Sequence, residues 1–85
     1  PIDLYKSNGT IWQVDGDNNI YPPFNSIEGC GDTVANNVVK EREIQEFFSI
    51  EDLQNRAKVS QNIIDKMRFM GILDNMPETS QLSLF

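Results

Sequence analysis

Residues 27–35 read IEGCGDTVA, and the placing of the two glycines in this run decides the fold. Gly29 and Gly31 lack a Cβ, so the backbone there can turn sharply and come close to a neighbour or a ligand. Downstream, Val34, Ala35, Val38 and Val39 recur at helical spacing, which predicts an amphipathic helix leading out of the turn. Upstream, Pro22 and Pro23 cannot donate to a strand ladder and suit the opening of a helix, so a short helix is expected from Phe24 to Ile27. The order is helix, glycine turn, helix.

The run has the spacing of a helix-hairpin-helix unit: apolar, any, Gly, apolar, Gly, three residues, then a small residue. That unit is assigned to residues 22–48. The unpaired amides that begin its second helix offer a place for a phosphate. Such a contact reads no base edges, so it positions a DNA backbone without specifying sequence. The plain alternative is a glycine-rich turn between two packed helices that holds nothing.

A second unit of the same layout is expected over residues 49–76. In FSIEDL, Ser49 is the predicted cap, Asp52 sits three residues on as in a capping box, and Phe48 is placed to staple onto Leu53. That helix should run to Ala57. Ser60 is expected to cap the next helix, with Val59 stapling to Ile64 and one face formed by Ile63, Ile64, Met67 and Met70. Gly71 fits the left-handed residue that closes it, with Ile72 placed against Met67. The hairpin between these helices, RAKVS, has no glycine. Arg56, Lys58, Lys66 and Arg68 make the unit locally basic, and ordinary solvated charge is the alternative to a phosphate-binding role.

Flanking these units, residues 1–21 are read as a β-hairpin or extended segment, since TIWQV is rich in β-branched and aromatic residues and DGDNN is a turn cluster before IY. DGDNN also begins like a calcium loop, but Ile20 and Ser26 stand where that loop needs glycine and glutamate, so a turn is preferred. Residues 77–85 are expected to be a flexible tail, polar in ETSQ and then abruptly apolar in QLSLF. The fold class is therefore mainly α, a tandem helix-hairpin-helix module with an N-terminal β-hairpin and a disordered C-terminal tail.

The 85 residues allow one small domain. The chain starts at Pro1 without an initiator methionine, which suggests a segment of something longer. Cys30 is the single cysteine, which favours a reducing, cytoplasmic setting. No window has the roughly 20 apolar residues of a membrane span, so no membrane partner is expected. With no histidine and one cysteine, zinc sites of the usual kind and imidazole triads cannot be built. Asp3, Asp15 and Asp17 read as surface and turn residues. No catalytic residue, metal ligand or cofactor is assigned within the segment. The net charge of −6 discourages undirected association with nucleic acid.

Taken in order, YPPFNSIEGCGDTVANNVVKERE, FFSIEDLQNRAKVSQNIIDKM and LDNMPETSQLSLF resemble the C-terminal end of the PolC-type DNA polymerase III alpha subunits, replicative polymerases of low-GC Gram-positive bacteria. The resemblance runs from Asp3 to Phe85 and rests on the order and spacing of several segments. It implies a parent DNA-directed DNA polymerase that uses Mg, with a proofreading exonuclease elsewhere and its catalytic carboxylates in a palm domain outside this chain. It further implies a module that contacts duplex DNA and a terminal pentapeptide, Gln81, Leu82, Ser83, Leu84 and Phe85, that docks on the sliding clamp (beta subunit). Burial of a leucine or phenylalanine stabilises by roughly 1.5 to 3 kcal/mol, so Leu84 and Phe85 can anchor a flexible peptide at about micromolar affinity. A tether of that strength serves processivity, because linkage makes each weak contact intramolecular.

The sequence departs from that pattern where DNA should sit. Glu28 stands where proline is usual, Asp32 opens the second helix of the first unit, and Ala57 stands where the second hairpin usually has glycine. The DNA contacts expected are Gly29 and Gly31, Lys58 and Ser60 with the amides of the second hairpin, and Lys40 and Arg42 assisting from the first helix. The other reading is an acidic protein-docking module that binds the clamp and not DNA.

Overall fold

The computed structural model describes residues 1–79. Its first ordered feature is a turn, where a strand-like stretch was expected. The Asp3 carboxylate accepts from the amides of Tyr5 (2.9 Å) and Lys6 (3.1 Å), and the Ser7 hydroxyl accepts from the Asp3 amide at 2.9 Å. A short polar side chain that satisfies nearby amides competes with extended pairing, which is why Leu4 to Ser7 fold locally. The strands that do form are two residues each, β1 (Gln13–Val14) and β2 (Ile20–Tyr21), antiparallel with Gln13 opposite Tyr21 and Val14 opposite Ile20.

The DGDNN cluster is the turn between them. Asp15 organises it, accepting from the amides of Asp17 (2.8 Å) and Asn19 (3.0 Å), from Asn19 Nδ2 (3.1 Å) and from the Tyr21 hydroxyl (3.0 Å). These bonds favour the ionised carboxylate and hold its pKa down at about 2, the Asn19 side chain being the largest cause. Gly9 then lets the chain pass over the first long helix, since a Cβ there would lie 2.3 Å from Asn36 Oδ1.

Past Pro22 and Pro23 a short 3-10 helix, Phe24–Ser26, replaces the expected helical turn with nearly the same bounds. It leads into α1 (Asp32–Ile44), α2 (Ile50–Ala57) and α3 (Gln61–Phe69). The caps fall where the sequence puts them. The Ser49 hydroxyl accepts from the Asp52 amide at 2.9 Å while Asp52 Oδ2 accepts from the Phe48 amide at 3.0 Å, a reciprocal capping box. The Ser60 hydroxyl accepts from the Ile63 amide at 3.3 Å. Gly71, at φ +81, closes α3 with its amide on Arg68 O (3.1 Å) and the Ile72 amide on Met67 O (3.0 Å), the paired bonds of a Schellman end.

Both units share one core. Phe24, Val38, Leu53, Ile64 and Met67 are fully buried, joined by Ile27, Ala35, Ile50, Ala57, Val59, Ile63 and Leu73. The 3-10 helix packs on α1, α1 on α2, and α2 on α3. Arg56 ties the units together where α1 ends: its guanidinium donates to the carbonyls of Glu41 (2.5 Å), Gln45 (2.8 Å) and Glu46 (3.2 Å) and to Asp52 Oδ2 (3.1 Å), and stacks 4.6 Å from the Phe47 ring.

Two core expectations are corrected. Phe48 leaves more than half its surface in solvent, and Phe47 is the buried one, held between Arg56 and the Tyr5 ring. Met70 is also half exposed: its amide still bonds to Lys66 O at 3.0 Å, but it lies past the last residue of α3 and its side chain lines an open groove. The first residues of the expected tail are hydrogen-bonded to the surface of the body: the amides of Ile50 and Glu51, in the first turn of α2, donate to Pro77 O (2.9 Å) and Glu78 O (3.0 Å), and Arg68 pairs with both carboxylate oxygens of Glu78. Residues 80–85, with the expected clamp motif, lie outside the described residues.

Candidate nucleic-acid interface

Each hairpin turns through one left-handed residue. In the first hairpin it is Gly29, at φ +86; in the second it is Lys58, at φ +60 and ψ +43, a lysine where glycine is the ordinary choice. Lys58 is exposed, and so is Ser60, which follows it and caps α3. Gly31 is the N-cap of α1 without a side-chain capping bond, and a Cβ placed on it would meet nothing within 4 Å, so the α1 entrance is open.

Folding packs the two units together. A Cβ at Gly29 would lie 3.6 Å from Ile63 Cδ1, one turn into α3, and Asn37 Nδ2 of α1 donates to Ala57 O, the last residue of α2, at 3.2 Å. The first hairpin therefore packs on α3, and the middle of α1 packs on the end of α2 where the second hairpin begins.

The two assisting cations part company. Lys40 is exposed on α1. Arg42 is not presented to solvent: its Nη1 donates to Leu4 O (3.0 Å) and Ser7 O (2.6 Å), its guanidinium lies 5.9 Å from the Phe24 ring, and its side chain is 10% exposed. It pins the N-terminal turn to α1, and little of its side chain is left to solvent.

The acids of the first hairpin have partners that the sequence does not reveal. Asp32 Oδ1 accepts from Asn25 Nδ2 at 3.0 Å. Lys66 of α3 reaches across to the Glu28 carbonyl at 2.6 Å, with Glu28 Oε1 3.8 Å from its ammonium. Lys66 was legible only as one basic residue among several, because its target lies 38 positions away. Beside this contact runs an apolar groove of about 390 Å³ lined by Ile27, Glu28, Asp65, Lys66, Phe69 and Met70, with Phe69 94% exposed.

Cys30, between the glycines, is buried, and burial together with Asp32 pushes its thiol pKa up, which keeps it protonated and unreactive. Among the described residues no three His, Cys, Asp or Glu side chains gather into a metal-holding group, and no helix is long and apolar enough to cross a membrane.

The geometry agrees with comparisons to known proteins. A family model described as "Helix-hairpin-helix motif" matches residues 1–82. The chain is 50% identical over 84 residues to "DNA polymerase III PolC-type" of Bacillus subtilis (strain 168), a match covering 99% of this chain and 6% of the relative. Proteins of the same name from Halalkalibacterium halodurans and Ureaplasma parvum serovar 3 are each 44% identical, again over 99% of this chain and 6% of theirs. The chain thus spans about 6% of the length of these curated relatives.

Proposed function

The chain belongs to the helix-hairpin-helix family, and from that premise we propose that it is the DNA-backbone-binding module of a cytoplasmic, PolC-type replicative DNA polymerase. The observation that carries this reading is the pair of hairpins built on one core, with the exposed Lys58 in the left-handed position of one and the open α1 entrance at Gly31 of the other. Backbone amides and a lysine contact phosphates without reading base edges, which suits a polymerase that must hold any sequence. Lys40 lies on the same helix as that open entrance. Polymerase chemistry itself, with its Mg ions and any exonuclease, belongs in this reading to the much longer remainder of the relatives.

The finer part of the proposal is tethering to the sliding clamp through Gln81, Leu82, Ser83, Leu84 and Phe85. Its support is the pattern of polar and apolar residues together with the relatives' identity as replicative polymerases. Two assays test the two parts. Titration with duplex DNA at rising salt should show affinity falling with salt, and a flat response below about 50 mM would defeat the DNA reading. Clamp binding should vanish when Leu84 and Phe85 are removed; equal binding by both forms would defeat the tether.

A second reading, a protein-docking role in place of DNA contact, is favoured by the groove around Phe69, since an aromatic side chain this exposed beside an apolar hollow suits a protein partner. It predicts that Phe69→Ser abolishes a protein interaction and leaves duplex binding unchanged.

A further inference from the structure

The first hairpin already holds a cation against its backbone. Lys66 Nζ donates to Glu28 O at 2.6 Å, and the ammonium lies close over the turn, where a Cβ on Gly29 would be in ordinary contact with it at 3.6 Å. The Glu28 carboxylate is held very differently. It stands 3.8 Å from Nζ, beyond hydrogen-bond distance, on a side chain 95% exposed. A solvent-exposed pair of that kind is weak, and the ammonium retains further N–H donors beyond the one given to the carbonyl. The neighbouring acids are otherwise engaged: Asp32 Oδ1 accepts from Asn25, and Asp65 Oδ1 accepts from Gln61 Nε2 at 2.9 Å. Glu28 is thus the acid that competes for Lys66.

We propose that Lys66, fixed on the Glu28 carbonyl, is a DNA-phosphate contact of the first hairpin, and that the Glu28 carboxylate occupies its place as a built-in competitor until a duplex displaces it. The inference rests on the DNA-binding function proposed above. The exchange breaks no covalent bond: the exposed carboxylate moves away from the ammonium and a phosphate oxygen accepts an N–H that Glu28 does not hold, while the carbonyl bond stays. The acidic residue in the hairpin then lowers the affinity of Lys66 for any anion, and a duplex backbone, with contacts elsewhere on the module, outcompetes the carboxylate.

The test is a double-mutant cycle read by fluorescence anisotropy on a labelled blunt duplex at several salt concentrations, using the full chain, Lys66→Gln, Glu28→Gln and the pair. Lys66→Gln should weaken binding several-fold and make the slope of log affinity against log salt shallower by about one. Glu28→Gln should strengthen binding several-fold alone and change nothing when Lys66 is already Gln, because the competitor then has nothing to block. Lys66→Arg should keep the slope, and it stands in for the fold if Lys66→Gln unfolds by circular dichroism. An equal gain from Glu28→Gln in both backgrounds would mean simple repulsion and would overturn the inference, as would an unchanged salt slope in Lys66→Gln. A wild-type chain that ignores duplex at low salt overturns the DNA function itself; one that binds without coupling between Glu28 and Lys66 overturns only this inference.

Discussion

The two hairpins reach the same backbone shape from opposite chemistry. The first uses glycine for its left-handed residue and carries acids around it; the second puts Lys58 into that conformation and carries a charge where the first has none. A non-glycine residue there costs roughly 1–2 kcal/mol, so the second hairpin accepts strain that a glycine would relieve. The helices differ in the same sense. α2 and α3 begin on serine caps, whereas α1 begins on Gly31 with no side-chain capping bond. The first unit is the one with an open, uncapped entrance and a borrowed cation; the second is self-sufficient, with its own caps and its own exposed lysine.

The sharpest way to break this contrast is to ask whether the units are separable. Leu53 is fully buried in a core common to both, so Leu53→Ala should cost about 3 kcal/mol, with all probes losing structure in one transition. Two transitions in thermal circular dichroism would show two independent bodies.

The hairpins themselves come next. Gly29→Ala should destabilise by about 1–2 kcal/mol because its φ of +86 is unfavourable for any Cβ. Lys58→Gly should do the reverse, raising stability by up to about 1 kcal/mol in urea titrations while weakening duplex binding. A Lys58→Gly chain that bound duplex as well as wild type would remove Lys58 from the interface.

Capping gives a smaller effect of either sign. Ser60→Ala should cost about 1 kcal/mol, and Gly31→Ser, entering empty space at an ordinary φ of −77, should gain a few tenths to about 1 kcal/mol. If that added side chain also reduces duplex affinity, the open entrance of α1 is a contact.

The smallest signal lies outside both units and serves as their control. Asp15 has a folded pKa of about 2, below its ordinary value of 3.8, so its contribution is complete above about pH 4 and is lost as pH falls toward 2. Fluorescence of Trp12, which immediately precedes β1, should report that loosening in this window, and Asp15→Asn should abolish the pH dependence.

Much of this architecture is local and therefore legible. The capping box at Ser49, the Ser60 cap and the glycine stop at Gly71 each involve partners within a few positions, so residue type and spacing suffice to place them. Side chains at helix ends mislead for a related reason. Met70 continues the helical period, yet it lies past the end of α3 at an open groove, and the choice between Phe47 and Phe48 turns on where Arg56 and Tyr5 arrive from elsewhere. Of the residues expected at phosphate, Arg42 commits Nη1 to carbonyls 35 and 38 positions away. No local pattern announces such a partner.

The amino-acid order alone determined the helices, their ends and the two turns, because helix capping and left-handed stops are settled by side chains reaching backbone groups a turn away. Only the packed chain decided which charges are free. Arg42 and Arg56 satisfy buried or converging carbonyls, Lys66 crosses to the other unit, and Lys40 and Lys58 stay in solvent, since a charged side chain takes whichever unpaired acceptor the fold brings within reach.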